Sequence, residues 1–396
     1  MMTMKYAVLV GDGMADYSIP ELGNKTPLEY AVTPNMDHLA KLGNIGLVST
    51  VPQGLPPGSD VANLSLLGYE PSRYYSGRAP IEAASLGLKL SSEDTAFRCN
   101  LVTITNETMI DYSAGHIEND EAFQLIKELD NLLSSENVKF YPGTSYRHLV
   151  VIKNFPHGLK CTPPHDITDK NTIPFLPKGD GEELIRDLMS KARLVLANSQ
   201  TNKTRLLNDK KPVTDIWLWG QGKTLTLPSL YERYNLKGSV ISAVDLVRGL
   251  GILAGLQARI VQGATGYLGT NYSGKIAAAQ SALETEDFVY VHVEAPDETS
   301  HEGSLSKKIQ AIEEFDKYIV GEMVAYIKNN PNTRILIAPD HATPISLKTH
   351  SSEPVPFLIA GSGVKAQTNT AYCERAAQGK AVFTGPQLFE NFIRGF

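Results

Sequence analysis

Four stretches of the chain run apolar without alternation and stop at glycine or a polar residue: KYAVLVGDG at 5–13, DFVYVHV at 287–293, RILIAPD at 334–340 and PVPFLIAGSG at 354–363. Unbroken β-branched and apolar runs of this length predict strands buried on both faces, the pattern of a parallel sheet. Between them the spacing changes. Across 306–330, Ile309, Ile312, Phe315, Ile319, Met323 and Tyr326 recur at helical intervals and predict a long helix with one apolar face. KGSVISAVDLVRGLGILAGL at 237–256 reads as a strand followed by a helix. Strand and helix alternate, so the expected class is α/β, a mostly parallel sheet flanked by helices.

The middle of the chain breaks this rhythm. A Pro-rich, polar stretch at 157–181 interrupts short strand-like segments such as RHLVVI at 147–152. It reads as a smaller α+β domain inserted at 76–238 into a core formed by 1–75 and 239–396. A chain of 396 residues exceeds what one compact core usually supports, which agrees with two domains.

A net charge of −6, with no clustered Lys and Arg, excludes a nucleic-acid partner and leaves small ligands. Cys99, Cys161 and Cys373 are far apart and show no CxxC spacing, so reduced thiols in a cytoplasmic protein are expected rather than a disulfide framework or zinc ribbon. Tyr6–Val10 is too short for a secretory apolar region, and no stretch approaches a membrane span. The composition leaves oligomeric state open.

In an open parallel sheet, ligands bind at the carboxyl ends of the strands. Asp12 follows the first run. Asp297 and His301 follow the second, and their i, i+4 spacing puts both on one face of a helix starting there. Asp340 and His341 follow the third, and His350 lies in the loop before the fourth. Carboxylates and imidazoles converging from separate loops suit divalent cations, manganese or zinc ahead of magnesium, and these side chains are enough for two ions. Such a pair, about 3.5–4 Å apart, clamps the attacking and leaving oxygens of a phosphoryl displacement. Ser59, after the turn Pro56-Pro57-Gly58, begins a helix where backbone N–H groups face an anion. A serine hydroxyl is a weak nucleophile until activated, and metal coordination is one way to activate it. Taken singly, each of these residues reads as a cap, a turn or a surface side chain. Their joint placement at strand ends points to a site.

GDGMAD, LPPGSDVANLSLLGY, VHVEAPDETSHEG, IAPDHATP and KTHSSEPVPF occur in this order over nearly the whole chain. Together they resemble the archaeal-type cofactor-independent phosphoglycerate mutases of the alkaline phosphatase superfamily. The resemblance implies an alkaline-phosphatase-like core, no organic cofactor and a small phosphorylated hydroxy acid as substrate. It implies that Ser59 becomes a phosphoserine. Asp12, Ser59, Asp340 and His341 would hold one ion, and Asp297, His301 and His350 the other. The inserted domain would close over the substrate, and Arg78, Arg147, His148, His165, Asp166 and Lys275 match the family's substrate-gripping and acid/base groups. Independently of it, Asp166 suits a proton shuttle and Arg147 an anion clamp.

One segment departs from the family. Where the mutases carry an arginine-rich stretch resembling DRRAGRI, this chain reads DYSAGHI at 111–117, with Tyr112 and His116 in place of guanidinium groups. The variant also resembles a bacterial branch proposed to act as homoserine kinases, which is the alternative reading. A kinase needs a phosphoryl donor, yet WLWGQGKT at 217–224 lacks the first glycine of a P-loop and precedes the strand-like TLTLP, so it reads as structural. A phosphomonoesterase and a non-catalytic binding protein are the remaining alternatives.

Overall fold

The computed structural model describes residues 3–395. The chain divides into two compact units, one formed by residues up to Tyr75 and from Thr226 onward, the other by Ser76–Leu225. In chain order the strands of the first part are β1 (Lys5–Gly11), β2 (Asn44–Ser49), β3 (Asp94–Thr105), β4 (Thr108–Asp111), β5 (Val138–Thr144), β6 (Arg147–Lys153) and β7 (Asp215–Lys223). They are followed by β8 (Gly238–Ile241), β9 (Gln257–Ala258), β10 (Phe288–Val293), β11 (Thr333–Ala338), β12 (Val355–Gly361) and β13 (Val382–Thr384).

The first unit holds a sheet in the order β13-β2-β12-β11-β1-β10-β8-β9. β1 lies parallel between β10 and β11, and Val10 pairs with both His292 and Ala338. The carboxyl ends of the three central strands therefore emerge side by side, delivering Asp12, the segment after Val293 and Asp340 to one edge. Ala7, Leu9, Val289, Val291, Ile335 and Ile337 line one face of this sheet and pack on Ile312, Phe315, Ile319 and Met323.

β12 corrects the sequence reading. It is antiparallel to both β11 and β2. A strand buried on both faces gives the same unbroken apolar run in either direction. What decides direction is the connection: 339–354 contains no helix, and a parallel return needs a crossover of a dozen or more residues, usually helical. The helix expected over 306–330 spans Leu305–Phe315 and Gly321–Asn329, joined by a π-helical turn at Asp316–Val320. That turn aims Asp316 at the start of the helix Pro34–Leu42, where its Oδ1 accepts from Met36 N (2.7 Å) and its Oδ2 from Asn35 N (3.2 Å). Orphan N–H groups at a helix N-terminus are satisfied this way.

The second unit is an antiparallel sheet, β4-β3-β6-β5 with β7 on β3, packed by the helices Asn119–Leu133 and Glu182–Asn198. Its core gathers Phe97, Leu101, Val150, Leu125, Leu129, Ile185, Leu188 and Trp217. WLWGQGK is part of strand β7, whereas TLTLP at 224–228 is outside any strand, a second correction. Residues 226–238 belong with the first unit: Leu230 N donates to the Ala254 carbonyl, and the Lys237 carbonyl accepts from Asp287 N. Among the described residues no helix is long and apolar enough to cross a membrane.

Candidate active site

Asp12 leaves β1 buried, and the next residue turns the chain back across the strand ends. Gly13 has φ +63°, and a Cβ there would lie 2.7 Å from Asp297 Oδ1 and 2.6 Å from Thr343 Oγ1, so glycine is required. Its N–H donates to Asp340 Oδ1 (3.2 Å), which also accepts from His341 N (2.9 Å). The two loops are thus locked together through the Asp340 carboxylate.

Ser59 is the first residue of the helix Ser59–Leu66, with Gly58 as N-cap. Its Oγ lies 3.1 Å from His341 Nε2. One turn on, Asn63 Nδ2 donates to Asp340 Oδ2 (2.7 Å) and the Ser59 carbonyl (2.8 Å), while Asn63 Oδ1 accepts from the buried Tyr290 hydroxyl (2.6 Å). Asn63 therefore fixes the serine-bearing helix to Asp340 and β10. Asn63→Ala strands a buried phenol and frees Asp340 Oδ2. It should lower stability by about 2–3 kcal/mol in urea unfolding and slow turnover by roughly 10–100-fold through misplacement of Ser59. Wild-type stability in this variant would remove Asn63 from that role.

Asp297 and His301 share one face of the helix Ala295–His301, with His301 Nε2 3.1 Å from Asp297 Oδ2. His350 Nε2 lies 3.0 Å from His301 Nε2 and 3.5 Å from Asp297 Oδ1. Thr343 Oγ1 donates to Asp297 Oδ1 (2.5 Å). Burial alone would raise Asp297, but His301 and His350 outweigh it and hold the carboxyl well below the usual range. Burial lowers His301, and Asp297 overrides that, lifting the imidazole to about 9. Asp12 goes the other way: burial, then repulsion from Asp340, Asp297 and Glu294, pushes it well above the usual carboxylate range. Like-charged carboxylates crowded together and cut off from water need a compensating charge.

His292 was invisible to sequence patterning. It sits fully buried inside the apolar run of β10, with Nε2 3.0 Å from Asp12 Oδ2, and burial pulls it down to about 4. An imidazole in an unbroken apolar strand one residue from its carboxyl end was the available signal. His292 Nε2 and Asp12 Oδ1 are both buried without a hydrogen-bond partner among the described residues. Buried polar atoms are as a rule paired; here two unpaired ones lie among crowded carboxylates and imidazoles, the donor set of a cation site. Three groups place their ligand atoms within 4.8 Å of one another: Asp297, His301 and His350; Asp12, His292 and Asp340; and Asp12, Asp297 and His341.

Lys275 is buried beside this centre, its Nζ donating to the His292 carbonyl (3.0 Å), and burial pulls it down to about 8. The other residues matched to substrate binding lie in the second unit. Arg78 Nε and Arg98 Nε flank Glu82, at 2.8 and 3.1 Å. Burial would raise Glu82, but Arg98 and Arg78 outweigh it and hold it low. Arg98, missed by sequence reasoning, is a buried cation in strand β3 whose guanidinium lies over Trp219 at 4.6 Å. Trp219 also meets the His165 ring (5.3 Å), which meets Tyr112 (6.1 Å), and Tyr146 packs against Tyr112, His116 and the Arg147 guanidinium. His148 is buried, accepts from Gly143 N through Nδ1 (3.0 Å), and is pulled down to about 3 by burial. Asp166 is exposed on a short 3-10 turn, 3.8 Å from His165.

Fold and site together define an α/β protein with a serine hydroxyl set against a buried carboxylate–imidazole centre. A family model described as 2,3-bisphosphoglycerate-independent phosphoglycerate mutase matches residues 40–202. A protein of that name from Methanosarcina mazei is 53% identical over 358 residues, covering 90% of each chain. A solved structure from Pyrococcus horikoshii superposes with a TM-score of 0.83 at 29% identity, covering 99% of this chain and 97% of that one. The cofactor-independent phosphoglycerate mutase of Thermoplasma acidophilum gives 0.66 at 25%, covering 99% of both. The chain belongs to the family of 2,3-bisphosphoglycerate-independent phosphoglycerate mutases.

Proposed function

We propose that the protein interconverts 3-phosphoglycerate and 2-phosphoglycerate through a phosphoserine at Ser59. The observation that carries this reading is the placement of Ser59 Oγ 3.1 Å from His341 Nε2, at the edge of a buried centre with unpaired Asp12 Oδ1 and His292 Nε2. Asp12, Ser59, Asp340 and His341 would hold one divalent ion and Asp297, His301 and His350 another, manganese foremost with zinc and magnesium as alternatives. Bound there, the ions supply neutralising charge and an electrophilic clamp for phosphoryl oxygens.

The chain's own groups do the rest. Ser59 Oγ, ionised, attacks phosphorus in line; the Oγ–P bond forms, the bond from phosphorus to the substrate's oxygen breaks, and that oxygen takes a proton from Asp166. Glycerate stays bound. Its other hydroxyl then attacks the phosphoserine, Asp166 takes its proton back, and Ser59 Oγ leaves as the ionised oxygen it began as. Arg78, Arg147, His148 and His165, with the Ser76–Leu225 unit as substrate-binding domain, would grip the acid's carboxylate and phosphate, and Lys275 would act from beside β10. Planar guanidinium groups suit both anions. Free thiols at Cys99, Cys161 and Cys373 fit a reducing compartment, and the reading places the enzyme in the cytoplasm.

The test is to incubate the manganese-loaded protein with 3-phosphoglycerate, without 2,3-bisphosphoglycerate, and follow the phosphorus NMR spectrum. Growth of the 2-phosphoglycerate resonance, abolished by chelation, is expected. Absence of that resonance, with phosphorylation of homoserine from ATP by the same preparation, would replace the mutase reading with the kinase one.

A further inference from the structure

His292 is held from both sides. Its Nδ1 lies 3.3 Å from Ser242 Oγ, just past β8, and that hydroxyl is itself fixed by accepting from Val244 N at 3.0 Å. Its main-chain carbonyl accepts from the buried Lys275 Nζ. The ring is fully buried, and its Nε2 lies 3.0 Å from Asp12 Oδ2 with no hydrogen-bond partner among the described residues. With Nδ1–H given to Ser242 Oγ, the tautomer left has a lone pair on Nε2. That nitrogen and carboxylate oxygens of Asp12 and Asp340 lie within 4.8 Å of one another. Two carboxylates and an imidazole nitrogen gathered in a dry site form an arrangement that a cation resolves.

We propose that His292 is a metal ligand through Nε2, to the ion shared by Asp12 and Asp340, and that Ser242 sets its tautomer. This rests on the two-ion reading above and extends it, because the ligand comes from inside a strand rather than from a strand-end loop. An added imidazole nitrogen shifts the site toward manganese, zinc or cobalt and away from magnesium. The competing arrangement has Ser242 donating to Nδ1 and Nε2–H donating to Asp12. His292 would then orient a carboxylate and leave the cation's nitrogen count unchanged.

The experiment compares full-length wild type, His292→Gln, Ser242→Ala and Asp297→Ala as metal-free and manganese-titrated proteins. It reads bound manganese after desalting, the manganese-induced rise in Tm, and pulsed EPR of the bound ion in protein labelled with ¹⁵N-histidine. The expectation is that His292→Gln keeps the ion at Asp297, His301 and His350, weakens the other by at least about 100-fold, and loses part of the Tm rise. One ¹⁵N coupling should vanish with it. Ser242→Ala, which keeps the imidazole and so guards against a folding defect, should weaken the same ion by about 10-fold. Two ions bound by His292→Gln at wild-type affinity, or a lower metal-free Tm with an undiminished manganese-induced rise, would overturn the assignment and leave His292 structural. Wild type that binds no manganese, zinc or cobalt would instead overturn the two-ion reading and the assignment together.

Discussion

Ser59→Ala should abolish phosphoryl transfer while leaving the bound metal near its wild-type content. The loss expected is at least about 10³-fold in kcat, the scale on which removing a covalent nucleophile acts. Two observations separate the effects on chemistry and on metal. The side chain removed is a single hydroxyl at the first position of a helix capped by Gly58, and its contact is with His341 Nε2. The rest of the ligand set is anchored elsewhere: Asp340 by Gly13, His341 and Asn63, and Asp297 by Thr343 and its own helix. Steady-state assay with metal analysis on the same preparation checks both halves. Persistent turnover in sequence-verified Ser59→Ala protein would sink the covalent route.

Asp297→Ala should lose metal as well as activity, again by at least about 10³-fold in rate. The carboxylate is the meeting point of His301, His350 and Thr343, and a Cβ-sized change at Gly13 already collides with it. Without it, His301 Nε2 and His350 Nε2 face each other at 3.0 Å with no anion to hold a cation between them. The bound manganese should fall by the ion of that group, while the ion at Asp12 and Asp340 is weakened only through the shared site. Full metal occupancy in Asp297→Ala would contradict its role as a ligand.

The parts of this centre legible in the sequence were those that obey strand-end logic. Asp12, Asp297, Asp340 and His341 follow buried runs, and a parallel sheet puts such positions on one edge. His292 and Arg98 escaped because each lies within the buried run itself, where patterning reads every residue as packing. Asn63 could be placed on a helix behind Ser59, but its partner Tyr290 is 227 residues away, and a pairing of that kind has no local signature. The apolar run at 354–363 marks β12 as a strand without marking its antiparallel direction, since burial fixes apolarity and only the helix-free 339–354 connection fixes direction. The π turn at Asp316–Val320 likewise hides in a sequence that reads as continuous helix, and the bonds Asp316 makes from it go to the start of Pro34–Leu42, remote in sequence.

Turnover is expected to pass through a phosphoserine at Ser59. The direct measurement is to mix manganese-loaded protein with 3-phosphoglycerate, quench in acid over milliseconds to seconds, and map phosphorylation by peptide mass spectrometry. A phosphoryl increment is expected on the peptide containing Ser59, present during turnover and absent from Ser59→Ala. Full conversion to 2-phosphoglycerate with no phosphorylated peptide at any quench time, or with the increment on another residue, would contradict it.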